Sequence, residues 1–113
     1  MEKTELEKHI DVEAALGRLG GNRKLLDTLL KKFANETYFD QLKNEITAKD
    51  YATAAKTAHT IKGVASNLSM TGLYNLIVVL EQQLKSGACE EGTFKETETV
   101  YLETIAAINQ SAK

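Results

Sequence analysis

There is no proline in 113 residues, where average usage of about 5% would place five or six. Proline interrupts helices because it lacks the backbone N–H and its ring collides with the preceding turn. Its absence, beside only seven glycines and abundant Ala, Leu, Lys and Glu, makes long helices the natural conformation of the chain. No segment alternates apolar and polar residues with period two, so no sheet is expected.

The helical punctuation is readable. Asp11 is a candidate N-cap for a short helix through Val12 and Leu19, and Gly20-Gly21 stops it. Asn22 caps the next helix, whose stripe Leu25, Leu26, Leu29, Leu30 and Phe33 continues through Phe39, Leu42 and Ile46. Asn35-Glu36-Thr37-Tyr38 is poor in apolar anchors and permits a bend. Asp50 caps a third helix with Tyr51, Ala54, Ala58, Ile61, Ala65 and Leu68 in a narrow seam, broken near Ser69. Met70, Leu73, Ile77, Leu80 and Leu84 mark the fourth, ending near Ser86-Gly87. A polar loop from Gly87 to Gly92 holds Cys89. The last helix carries Phe94, Tyr101, Ile105 and Ile108, with Leu102 widening its stripe. The expected fold is all-α: one domain over residues 1–113, an antiparallel up-down four-helix bundle with a short additional N-terminal helix.

Composition narrows the function. With 42% hydrophobic and 27% charged residues, the chain is too apolar for disorder. Its net charge of −2 offers no general attraction to nucleic acid or anionic lipid. The longest apolar run, Leu76-Ile77-Val78-Val79-Leu80, is far short of a membrane span, and Met1-Glu2-Lys3-Thr4-Glu5 opens no signal region. A lone cysteine forms no internal disulfide and suits a reducing compartment, so a cytoplasmic monomer is expected.

The third helix carries the one anomaly. A helical projection points His59 nearly opposite the core seam, into solvent. Its neighbours on that face, Ala52, Ala55, Gly63 and Ser66, are small where a solvated face normally carries long polar side chains. Gly63 is the oddest, costing about 1 kcal/mol relative to alanine in a helix interior. Lys56 and Lys62 flank the histidine at i−3 and i+3. An exposed imidazole is a nucleophile at neutral pH, small neighbours admit another backbone, and a lysine one turn away neutralises an anion. Together they suit phosphoryl transfer between proteins. The plain alternative is an ordinary surface histidine on an alanine-rich helix, which Gly63 argues against. A metal site is not expected, because His9 lies far away in sequence and no ligand spacing links it to His59.

The segment Ala58-His59-Thr60-Ile61-Lys62-Gly63-Val64-Ala65-Ser66-Asn67-Leu68 resembles the signature of histidine-containing phosphotransfer (HPt) domains of multistep phosphorelays. Ile10-Asp11 through Gly20-Gly21-Asn22, then Leu25-Leu26 and Phe33, resembles the start of that family's domain. Leu80-Glu81 followed by Leu84 resembles its helix after the active histidine. One departure is Ser69, where family members commonly have glycine. The resemblance implies His59 as phospho-acceptor, through the ring nitrogen remote from the backbone, and Lys62 as the phosphate's charge partner. It also implies Gly63 as clearance for a receiver domain, and it offers Glu81 to orient the imidazole. Glu81 reads equally well as an i,i+4 partner of Lys85. Ala55, Ser66, Val78 and Val79 complete the expected partner face, the two valines reading equally well as a wider core contact.

No phosphate-binding glycine loop is present. The expected role is therefore relay between receiver-domain aspartates, with no ATP-dependent kinase activity and no cofactor of its own. Mg²⁺ would sit on the receiver. Response-regulator receivers or a hybrid sensor histidine kinase are the expected partners. The competing readings are a helical adaptor without chemistry and the phosphotransfer domain of a chemotaxis-type histidine kinase.

Overall fold

The computed structural model describes residues 5–111, and the segments 1–4 and 112–113, with all but the last residue of the N-terminal stretch read above, lie outside them. The described chain is helical without strands. Its elements are α1 (Glu5–His9), α2 (Val12–Arg18), α3 (Arg23–Asn35), α4 (Tyr38–Thr47), α5 (Tyr51–Asn67), α6 (Thr71–Lys85) and α7 (Glu91–Ser111). Asp11, Asn22 and Asp50 each accept a hydrogen bond from the backbone N–H three residues on, and so start α2, α3 and α5. The long second helix expected from sequence is two helices. Glu36 adopts an extended ψ of 152°, and the chain restarts at Tyr38.

Ahead of the short helix expected at Asp11, residues 5–9 form a further helix, α1, which the sequence did not indicate. Leu6 and Ile10 are buried, and α1 packs mainly on α7.

The core is a continuous cluster that holds Ala54, Ala58, Ile61, Ala65 and Leu68 of the α5 segment together with Leu73, Ile77, Leu80 and Leu84 of α6. Alanine at three of those five positions lets the helix backbones approach closely, and α5 makes its most extensive contacts with α6. On the other side, Phe39 of α4 stacks on Tyr101 and Phe94 of α7, with ring centroids 4.4 and 5.6 Å apart. The α7 seam also contains buried Thr97 and Thr104, unforeseen because threonine reads as polar. Each hydroxyl donates to the carbonyl four residues back, at 2.7 Å, so neither enters the core unsatisfied. Leu102, by contrast, is 58% exposed and widens no stripe.

Ser69 does what glycine does at the end of such a helix. Its φ is +55°, its N–H donates to the Ser66 carbonyl, and the Met70 N–H donates to the Ala65 carbonyl. These bonds form a Schellman closure with the left-handed residue at C′. Lys49 closes α4 and Gly87 closes α6 with the same hydrogen-bond pattern. The Ser69 conformation is held from outside: the Arg18 guanidinium donates to its hydroxyl and to the Asn67 carbonyl, and its own carbonyl accepts from the Asp11 N–H. The α5–α6 turn is thus tied to α2.

Ser69→Gly removes the left-handed strain but loses the Arg18 bond, whereas Ser69→Ala keeps the strain and loses the bond. Denaturant unfolding is therefore expected to rank Ser69→Ala below Ser69→Gly by about 1 kcal/mol. Equal stabilities would show that the turn is not strained.

Candidate functional site

The close α5–α6 contact places Glu81 of α6 beside His59 of α5. Three cationic or donor groups converge on this one carboxylate, which is only 3% exposed. The His59 Nδ1 lies 3.2 Å from Oε2, the Lys85 Nζ 3.0 Å from the same oxygen, and the Lys62 Nζ 2.8 Å from Oε1. Glu81 therefore contacts both the His59 ring and its i,i+4 neighbour Lys85, and Lys62 joins them. Burial alone pushes a carboxyl up. Here hydrogen bonds from Lys62 and Lys85, the Lys62 charge and the His59 hydrogen bond outweigh it, holding Glu81 below the ordinary carboxylate value.

An ionised carboxylate only accepts hydrogen bonds, so the proton of a neutral His59 belongs on Nδ1. The Nε2 lone pair is then unprotonated. The imidazole is 68% exposed, so this nitrogen is open to a reaction partner. His59 does not stand opposite the core seam, as the helical projection suggested. It stands on the flank of α5 next to α6, which is what lets one ring nitrogen reach Glu81 while the ring stays in solvent.

The small-residue face is smaller than expected. Ala52, Gly63 and Ser66 are exposed, but Ala55 is 8% exposed and belongs to the core. Ala55 lies closer than His59 to the seam, so its methyl is covered by the packing that the seam drives. At Gly63 a Cβ would meet nothing within 4 Å. Nothing among the described residues requires glycine there.

The two valines separate. Val78 is half-buried and lies three and seven residues before Glu81 and Lys85, on the His59 side of α6. Val79 is 48% exposed but is in register with Gly72 and Gln83, which meet Val100 and Thr93 of α7. A step of about 100° per residue accounts for the separation, and Val79 does not share the histidine's face. Tyr74, 36% exposed and one turn before Val78, does share it and was not singled out from the sequence. Among the described residues, no group of three or more His, Cys, Asp or Glu side chains could hold a metal ion. No helix of the described residues is long and apolar enough to cross a membrane.

Because the carboxyl of Glu81 titrates below its unfolded value, its contribution to stability is complete well above the ordinary glutamate range and is lost as pH falls through that range and the lowered value. Glu81→Gln is expected to cost about 1–3 kcal/mol at pH 7. That gap should narrow on acidification below pH 4, measured by denaturant unfolding across pH. A gap independent of pH would mean that the Glu81 charge does not support the fold.

The family model described as Hpt domain matches residues 24–111. The match takes in the whole of α7, beyond the segments in which the sequence resemblance lay, and begins after α2. No curated protein and no solved structure gives a significant match. The matched span covers α3 through α7 nearly complete, with the exposed histidine and its carboxylate inside it, and the chain belongs to the Hpt domain family.

Proposed function

We propose that this chain relays a phosphoryl group between receiver-domain aspartates through His59. Membership of the Hpt family supports histidine phosphotransfer in phosphorelays. The observation that carries the assignment to His59 is the Nδ1–Glu81 hydrogen bond beneath an exposed ring. It selects the tautomer whose outward nitrogen is nucleophilic.

The step balances as follows. The Nε2 lone pair attacks the phosphorus of a receiver phosphoaspartate, the P–O bond to the aspartyl carboxyl breaks, and its electron pair remains on the released carboxylate. The Nδ1 proton stays in place, so the product ring is a phosphoimidazolium whose positive charge faces Glu81. A carboxylate fixed in advance where that charge develops stabilises the transition state without reorganising. In the reverse step the N–P electron pair returns to Nε2, and the retained Nδ1 proton lets the ring leave as neutral imidazole rather than as imidazolide. In-line transfer through a loose transition state then asks mainly for positioning and charge compensation. The receiver supplies Mg²⁺ and its own aspartate. Gly63 and Ser66 leave room for its backbone, and Val78 and Tyr74 offer a modest apolar contact suited to transient docking.

His59→Gln is expected to abolish phosphate acceptance from a labelled receiver, with stability changed by no more than about 1 kcal/mol. Undiminished acid-labile label on that variant would move the site elsewhere, and no label on the parent chain with any receiver would favour an adaptor without chemistry. Gly63→Gln should keep the fold and its phosphate acceptance at saturating receiver, while weakening receiver affinity roughly tenfold. Titration of transfer rate against receiver concentration separates the two effects, and an unchanged affinity would remove Gly63 from the docking surface.

A further inference from the structure

Three donors share two oxygens at Glu81, and they are not equivalent. Lys62 holds Oε1 alone, at 2.8 Å, and is 27% exposed. Lys85 shares Oε2 with the His59 ring and is 60% exposed. While the ring is neutral that sharing is tolerable, because a single positive charge, the Lys85 ammonium, faces the oxygen. Once the phosphoryl group is on Nε2 the ring is cationic, and two positive charges compete for Oε2. A phosphoryl dianion has meanwhile appeared on the far side of the same ring. The exposed ammonium on a flexible four-carbon stem is the group free to leave.

We propose, on the phosphotransfer reading above, that Lys85 is the cation that crosses from Glu81 to the phosphoryl group on His59, while Lys62 remains on Glu81 as a positioning residue. The expected charge partner is thus displaced from Lys62, three residues after the histidine, to a lysine on the neighbouring helix. The sequence pointed to Lys62 because it lies one turn away, but most of its side chain is covered and its ammonium already has a dedicated oxygen. Lys85 looked like half of an ordinary surface pair, yet it is linked to His59 through one shared atom. The exchange returns Lys85 to Glu81 when the phosphoryl group departs, so the pocket resets without net change.

Phosphoramidate, which phosphorylates histidine without a receiver, supplies the probe. The chain and its Lys85→Ala, Lys85→Arg and Lys62→Ala variants are labelled, and hydrolysis of the phosphohistidine is followed by ³¹P NMR. A cation stabilises the phosphoryl dianion more than the looser, less charged group in the hydrolytic transition state. Lys85→Ala is therefore expected to hydrolyse roughly three- to tenfold faster, with the unphosphorylated His59 still showing the Nδ1–H tautomer in ¹⁵N spectra. Lys85→Arg should restore the slow rate. Lys62→Ala should instead raise the Nε2–H tautomer population, the signature of a loosened Glu81. Unchanged hydrolysis in Lys85→Ala, or the whole acceleration in Lys62→Ala with its tautomer intact, overturns the assignment of Lys85. Absence of label at His59 in the parent chain overturns the phosphotransfer reading itself, and this inference with it.

Discussion

A buried carboxylate is expensive unless every lone pair it presents is met, and Glu81 is met from two helices at once. Lys62 and His59 come from α5, Lys85 from α6 itself. A salt-bridge network of this kind is a weak source of net stability, because desolvation offsets much of the attraction. Its stronger effect is geometric. With the carboxylate fixed, one nitrogen of an otherwise solvated imidazole is fixed too, and the other is left facing outward. A surface histidine without such a partner would divide its proton between both nitrogens and rotate freely.

That carboxylate reaches the histidine only because α5 and α6 lie close together, and the closeness traces to small side chains. Ala54, Ala58 and Ala65 face α6 and the neighbouring core where larger residues would hold the helices apart. The turn between the two helices is then clamped by Arg18 and Asp11 acting on Ser69, so the register of α6 against α5 is set at both the seam and the turn. The outward side of α5 follows different logic. Among the described residues a Cβ at Gly63 would meet nothing, and glycine lowers helix propensity there, so neither packing nor propensity accounts for it.

Local rules made much of this legible. Three side-chain N-caps were readable because the bond spans only three residues, and the α5 and α6 seams because their apolar spacing is unbroken. What escaped depended on tertiary partners. Helix α1 is five residues long and exists through Leu6 and Ile10 being covered by the rest of the bundle, which no propensity reports. Thr97 and Thr104 entered the core because each hydroxyl is satisfied by its own helix. Ala55, on the same side of α5 as His59 but nearer the seam, is covered by the core, and Val79 lies one residue step round α6 from Val78, differences that a list of small and apolar residues does not carry. Glu81 was visible as a candidate, but its burial was not, since a glutamate in an amphipathic helix ordinarily points to water. The convergence of Lys62 and Lys85 on it required both helices to be in place.

The central claim is that Glu81 directs the chemistry to the outer ring nitrogen, and the position of the N–P bond tests it most directly. With ¹⁵N-labelled histidine, phosphorus–nitrogen coupling distinguishes phosphate on Nε2 from phosphate on Nδ1. The account predicts Nε2-phosphohistidine at His59, with Nδ1 still protonated and bonded to Glu81. Phosphate on Nδ1 would require that bond to be absent in the reacting state, and would contradict the account.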